Sequence, residues 1–424
     1  MYFCTHEFIL TGNRFWEKKS TEESQMKIES ISIENYKVFK KATVKNLPKM
    51  LVLLGVNGSG KSTFFDVMSF LSDALQNNAT IAINRRGGFK EAISRGCDTN
   101  KDTIKLEIKF RNKQLDNEHL PLITYFIEIG FDFSEGKAII HREVLSYRRG
   151  QYGRPWRFLD FVNGMGNAIT NEDEYGRKGV LEQRMEQKVA APDILAIKGL
   201  GQFAQFKAIS VFRSLLEKWY VSNFKIEYGK SISDTGVATH LSVTGDNLAQ
   251  VTKYIHDYHK KTFDIILEKL PQRIPGINKV EAIETQDGRI LLRFQDETFK
   301  DPFVARYVSD GTIKMFAYMI LLHDPEPHPL LCIEEPENFL HPDLLPQLCE
   351  EIREYAERGG QVFVSTHSPD FVNGLESDEL FFLVKKDGYT TIKAAKDDNT
   401  VKEMHVKNDL GWMWRNRYIE GANI

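Results

Sequence analysis

Gly55-Val-Asn57-Gly58-Ser59-Gly60-Lys61-Ser62, followed by Thr63, decides how the rest of the chain is read. It fills the pattern GxxxxGK[ST] and sits between two informative neighbours. Before it, the run Leu-Val-Leu-Leu at 51–54 is continuously apolar and bounded by Pro48 and Gly55, as a buried strand would be. After it, residues 64–75 carry helical spacing. A glycine-rich turn that merely joins strand to helix is the bland alternative, but strand, loop and helix together are the context the pattern requires. In that context Gly55, Gly58 and Gly60 let the loop N–H groups, with those of Asn57, Ser59 and Thr63, turn toward an anion at a helix N-terminus. Lys61 can then reach the β- and γ-phosphates, and the Ser62 hydroxyl is placed to ligate Mg²⁺. The stretch reads as a nucleotide site taking ATP and Mg²⁺.

Two later strands supply what such a site needs. Pro329-Leu-Leu-Cys-Ile333 is apolar and ends in Glu334-Glu335-Pro336-Glu337-Asn338. One carboxylate beside a phosphate loop can hold the metal or its water shell, and another can orient and deprotonate the attacking water. Glu334 takes the first role in this reading and Glu335 the second, while Glu337 shapes the following loop. The next strand, at 361–365, ends in Thr366-His367-Ser368-Pro369, which sets His367 where it can sense a γ-phosphate by hydrogen bonding. His256, His259, His323 and His328 read as ordinary core or surface histidines. Upstream, Ser309-Asp310-Gly311-Thr312 opens an apolar helix and offers N–H groups and a hydroxyl to an anion, although alone it is only an N-cap.

With 424 residues, 42% hydrophobic and 27% charged, the chain has the composition of a folded protein of two or three domain-sized units. A formal net charge of -3 argues against a protein built mainly as a basic nucleic-acid clamp. Apolar runs such as 51–56 and 315–322 are too short to cross a bilayer, so no membrane is expected. Cys4, Cys97, Cys332 and Cys349 are scattered without a CxxC, which fits a reduced cytoplasm better than a zinc or disulfide framework. Residues 1–25 read as a polar extension. The stretch 103–170 is strand-rich, helical signals run from about 180 (LEQRMEQ, SVFRSLLEKWYVSNF, NLAQVTKYIHDYHKKTFDIILEKL), and Gln286-Asp-Gly288 marks a hairpin at 279–294. Further elements are expected as a helix from about 312, a strand at 329–333, a helix at 343–358 and a strand at 361–365.

The order of these motifs resembles that of the ABC-type ATPases. The opening ISIENYKVFKKATV, together with CIEEPENFLHP and VFVSTHSPDFVN, is most similar to the branch holding RecF, SMC-type heads and the overcoming-lysogenisation-defect (OLD) ATPases. The similarity is specific over residues 26–100 and 300–375. It implies an α/β fold: a two-lobed ABC-type P-loop ATPase head with a mixed-sheet lobe and a compact helical lobe. Residues 26–180 would form the first part of lobe I, 181–324 the helical lobe II with the signature at its end, and 325–424 the second part of lobe I.

The resemblance further implies a homodimer closed around two ATP molecules, with Ser309, Asp310 and Gly311 of one copy facing the phosphate loop of the other. Glu335 would be the general base and His367 the switch histidine. Two departures stand out. Glu334 replaces the Asp of transporter-type members, one methylene longer, and SDGT lacks the second glycine and glutamine of the longer transporter signature. Gln202 and Gln205 are candidates for the glutamine that links the site to the lobe interface.

The intervening helices are short and broken by Pro192, Gly199, Gly229, Pro271 and Pro275, so no long SMC-type arm is expected. About 50 residues follow the histidine strand, too few for an appended nuclease domain. A nuclease or other effector is therefore expected as a separate chain. Arg142, Arg148, Arg149, Arg154 and Arg157, interleaved with Tyr147, Tyr152 and Trp156, offer a DNA or RNA contact or else a solvated strand rim. Arg85, Arg86, Lys90 and Arg95 form a second basic cluster, and Trp412, Trp414, Arg415 and Arg417 read either as a docking surface or as core closure. The expected function is a Mg²⁺-dependent ATPase regulating an effector or a nucleic-acid transaction, in phage defence or DNA maintenance. The alternatives are an ATP-locked scaffold with little turnover and a RecF-like repair ATPase.

Overall fold

The computed structural model describes residues 26–112, 115, 121–147, 155–174 and 179–422. The expected extension 1–25 lies outside them, as do Arg148, Arg149, Tyr152 and Arg154 of the first basic cluster.

A central sheet of six strands organises the molecule, in the order β10 (Tyr220–Ser222), β15 (Leu330–Glu334), β16 (Gln361–Thr366), β3 (Met50–Leu54), β17 (Leu380–Lys386) and β18 (Tyr389–Ala394). The first five are parallel and β18 closes the edge antiparallel to β17. Both faces are covered, which is why these strands read as continuous apolar runs and not as alternations. Successive residues feed two different cores. Leu51 and Leu53 of β3, Leu330 and Cys332 of β15, and Phe363 of β16 pack into one. Met50, Val52, Leu54, Leu331, Ile333, Val362 and Val364 pack into the other.

The first core is roofed by an eight-stranded antiparallel sheet, β2 (Phe39–Lys45), β1 (Met26–Tyr36), β4 (Ile104–Asn112), β5 (Leu122–Asp132), β6 (Lys137–Tyr147), β7 (Trp156–Val162), β8 (Met165–Ile169) and β9 (Arg184–Lys188). Gln361, buried at the start of β16, ties the two sheets together. Its Oε1 accepts from the Ile28 N–H (2.8 Å), and its Nε2 donates to the Ile28 (3.1 Å) and Pro48 (2.8 Å) carbonyls. The second core lies under the helices Leu248–Tyr258, Lys260–Arg273 and Asp310–Leu322, and under a small sheet in which β13 (Arg289–Asp296) pairs β11 (Ser233–Asp234), β12 (Ile277–Glu284) and β14 (Phe303–Val304). Helix Asp310–Leu322 is buried along nearly its whole length, which explains its apolar sequence.

Most sequence-based elements stand within a residue or two, and the hairpin expected at 279–294 is β12–β13. Two expectations are corrected. LEQRMEQ at 181–187 is not helical: Arg184–Lys188 pairs β8 as the edge strand β9, so a strand-pairing partner overrides helix-forming Glu, Gln and Met. The tail of the next segment is not helical either. The helix ends at Glu217, and Tyr220–Ser222 becomes the edge strand β10 beside β15.

Candidate nucleotide and hydrolysis site

The carboxyl ends of three neighbouring parallel strands build the site. Thr366 of β16 is paired with Leu54 of β3, and Ser365 with Glu334 of β15, so the phosphate loop, the two acids and the histidine leave the sheet side by side. In open α/β sheets that end is where ligands sit.

The loop leaving β3 is tightly wound before helix Lys61–Gln76. Gly60 has φ 109°, and a Cβ there would lie 2.8 Å from Val38. A Cβ on Gly55 would meet the Ser59 hydroxyl at 2.4 Å. Thr390 donates to the Ser59 carbonyl (2.7 Å) and Lys385 to the Gly58 carbonyl (3.3 Å), which anchors the loop to β17 and β18. Lys61 is buried, and its Nζ donates to the carbonyls of Gly55 (2.8 Å) and Val56 (3.3 Å). Burial lowers its pKa, opposed by Glu335, Glu337 and Glu334. A cation held this way is preorganised for an anion in the loop. Thr63, two positions further on, lines a cavity of about 430 Å³ together with Lys37, Val38, Glu91, Arg95 and Tyr389.

Glu334 is half-buried, and its pKa is raised by burial and by Glu335 and Asp66 against the opposing influence of Ser62 and Lys61. Glu335 has the left-handed φ of 45°, a conformation that a non-glycine residue holds only when its surroundings impose it. Its N–H donates to the Ser365 carbonyl (2.9 Å), its Oε2 accepts from Asn338 Nδ2 (3.1 Å), and its Oε1 lies 3.5 Å from His367 Nδ1. Glu337 is half-buried beside that pair. Its Oε1 accepts from the Thr366 hydroxyl (2.8 Å) and the His367 N–H (3.0 Å), and lies 3.2 Å from His367 Nδ1. The second Glu337 carboxylate oxygen and the Ser365 hydroxyl are buried without a partner, so polar capacity remains between β15 and β16. From below, Trp414 Nε1 donates to the His367 carbonyl (3.3 Å). Trp414 therefore closes the core under the histidine, while Trp412 remains exposed and stacks on Tyr418.

Lys314 was not legible in the sequence, where it looks like a stray charge in an apolar helix. It is buried, its Nζ donates to the Asn338 (2.7 Å) and Glu335 (3.4 Å) carbonyls, and burial lowers its pKa to about 8 against Glu337 and Glu335. Its helix is the one Ser309 caps: Ser309 Oγ accepts from the Thr312 N–H (3.2 Å). Asp310 pairs with Lys230 (2.5 Å), and a Cβ on Gly311 would lie 2.7 Å from the Phe339 carbonyl. The signature thus leans on the turn after the acids, yet its bonds go to Thr312 and Lys230, and Ser309 and Asp310 stay exposed. The structure brings Lys61, Ser62, Glu334, Glu335 and His367 together, leaves Ser309 and Asp310 facing outward, and packs Gly311 against the turn at Phe339.

Other candidates fare differently. Gln202 and Gln205 are exposed, and Gln202 Nε2 donates to the Lys198 carbonyl (3.4 Å), which gives neither a link to the phosphate loop. In the first basic cluster Arg142 (3.1 Å) and Arg157 (2.7 Å) both pair with Asp160, and Tyr147 is buried against Phe158. In the second, Arg86 is buried between Asp66 (2.8 Å) and Asp73 (2.9 Å), Arg85 also pairs with Asp73, and Arg95 pairs with Glu91. Each of these described arginines thus has an acidic partner within the fold, while Arg148, Arg149 and Arg154 lie outside the described residues.

This chain belongs to the family described as "AAA ATPase domain", whose model matches residues 26–270. It is an ATP hydrolase of that family. A second model, described as "AAA domain, putative AbiEii toxin, Type IV TA system", matches residues 203–373. No curated relative matches the sequence. Among solved structures, an Smc head bound to the C-terminal winged-helix domain of ScpA aligns at 13% identity and a TM-score of 0.52, covering 86% of this chain and 96% of that one. An Smc head with an extended coiled coil, bound to the C-terminal domain of ScpA from Pyrococcus furiosus, aligns at 13% identity and a TM-score of 0.52, covering 90% and 100%. At that identity the likeness is one of fold, and it is the fold of a two-lobed P-loop ATPase head. Among the described residues no helix is long and apolar enough to cross a membrane.

Proposed function

We propose that the chain hydrolyses ATP with Mg²⁺ between two copies of itself, and that the closing and opening of this dimer governs a separate effector. The observation that carries this is the gathering of Lys61, Ser62, Glu334, Glu335 and His367 at the carboxyl ends of neighbouring parallel strands, electrostatically coupled to one another, with Ser309 turned outward. Ser62 and Glu334 offer hard oxygen donors near enough for Ser62 to pull down the Glu334 pKa, a set that suits Mg²⁺. When bound, the ion would neutralise charge on the phosphate oxygens. Lys61 would exchange its loop carbonyls for the phosphates, and the neighbouring cavity has room for a nucleoside. Glu335 would take the proton of the attacking water, His367 would report the terminal phosphate, and Glu337 would hold the His367 backbone in place. Ser309 and Gly311 of the second copy would complete the donors around the phosphate.

The match of residues 203–373 to a model described for a toxin–antitoxin system favours phage defence over DNA repair, as do the internally paired arginines. The Smc heads described with ScpA suit a head that acts through a separate protein such as a nuclease. The test is the solution mass of the Glu335→Gln protein with and without Mg-ATP, alongside the ATPase rate of the unaltered chain. Dimer only with Mg-ATP supports the reading; a mass that ignores nucleotide contradicts it. Full biological function in Glu335→Gln cells would favour the ATP-locked scaffold instead.

A further inference from the structure

At the opposite end of β15 from the acids, three side chains from two loops converge. His240 comes from the segment before helix Leu248–Tyr258, and Asp324 and His328 from the turn joining helix Asp310–Leu322 to β15. One donor atom from each lies within 4.8 Å of the other two. His328 is about 20 Å along the chain from Glu334 if the intervening residues are extended, so the cluster is not part of the nucleotide site.

The chemistry of each side chain is informative. Asp324 is buried, with its side chain 4% exposed, and a buried carboxylate requires a cation or donors. Its Oδ1 accepts from the Glu326 N–H (2.9 Å), which fixes the carboxylate plane, and Oδ2 lies 2.8 Å from His240 Nδ1. His328 Nδ1 lies 3.1 Å from the Lys218 carbonyl, and a carbonyl only accepts, so Nδ1 carries the proton. Nε2 then holds a bare lone pair, and that atom is buried without a partner. A histidine whose one nitrogen donates to a backbone carbonyl while the other is left as a lone pair is arranged as metal-ligating histidines are. Tyr220 stacks on the His328 ring (4.8 Å between centroids), and the His240 ring lies 5.2 Å away. Asn247 holds the third ligand's backbone, donating from Nδ2 to the His240 carbonyl (2.9 Å).

We propose that His240, Asp324 and His328 form a binding site for a divalent transition cation of the zinc class. Two imidazoles and a carboxylate are the donors such a cation prefers, with water as fourth ligand. Bonds of about 2.0–2.1 Å bring ligand atoms within about 3.5 Å of each other, so closure takes roughly 1 Å of side-chain movement. The ion would fasten the 238–247 segment to the turn that links the signature helix to the acidic strand.

The test uses the full chain, stripped with chelator and free of nucleotide, titrated with Co²⁺ and then Zn²⁺. One equivalent of Co²⁺ should bind with a tetrahedral visible spectrum, be displaced by Zn²⁺, and raise the melting temperature. Affinity should fall at least about 100-fold in Asp324→Asn and in His240→Ala, the more exposed ligand and the safer variant for folding. Lys61→Ala should leave it unchanged. No Co²⁺ spectrum, or one equally strong in both ligand variants, overturns the site and leaves His240 and Asp324 as an ion pair.

Discussion

The phosphate-loop end and the signature end of this molecule are built in opposite ways. At the first, the central charged groups are buried or half-buried and coupled to one another: Lys61 sits on loop carbonyls, Glu334 feels Ser62 and Lys61, and Glu335 accepts from Asn338 beside the exposed His367. At the second, Ser309 caps its own helix, Asp310 pairs with Lys230, and both face solvent beside the exposed Tyr307. The groups at one end bond mainly to the loops and strands around them, while those at the other face solvent. Lys314 and Gly311 connect the two, because both press on the turn that follows Glu335.

That contrast makes ranked predictions. Lys61→Ala should abolish ATP binding and lower turnover by at least about 10³-fold, read by nucleotide titration and phosphate release. Glu335→Gln should lower turnover on the order of 10³-fold while ATP binding persists; weakened binding would mean that Glu335 serves the ground state. Ser309→Arg should cost roughly 10²-fold in rate with binding by the single chain unchanged. If it also weakens binding by monomers, the outward end is not separate. Lys314→Met should lower kcat about tenfold without altering the nucleotide affinity, since the lysine holds carbonyls and not phosphates.

The smallest effect lies away from both ends. Glu143 is buried and accepts from the N–H groups of Ala196 (2.6 Å) and Ile197 (3.1 Å), and burial pushes its pKa from 4.5 up to about 7. The folded state therefore holds a proton that the unfolded chain has released between those values. Stability from this group is full below about pH 4.5 and declines as pH rises through 7. Glu143→Gln should flatten that part of the melting-temperature profile and leave the ATPase rate at saturating ATP unchanged. Glu172, also raised to about 7, keeps a residual slope.

The sequence made the first end legible because its chemistry is local. Lys61 and Ser62 are adjacent, Glu334 and Glu335 are adjacent, and each group ends an apolar run whose partners are implied by burial on both faces. The histidine strand followed for the same reason. What stayed hidden depends on long-range contacts. Lys314 reads as an error in an apolar helix until the turn at 335–339 folds against it. His328 reads as bland until His240, 88 positions earlier, lies beside it. The strands β9 and β10 failed as helices because each is a short edge strand whose only claim to be one is its neighbour. The arginine clusters looked available because their partners, Asp160, Asp66 and Asp73, are brought to them by the fold.

The most direct test of the two-ended account mixes two inactive proteins, Lys61→Ala and Ser309→Arg, and measures ATP hydrolysis. If the signature serves the phosphate loop of a second copy, a mixed dimer carries one intact composite site, and random pairing restores roughly a quarter of the wild-type sites. A mixture no more active than the sum of its components would contradict the account.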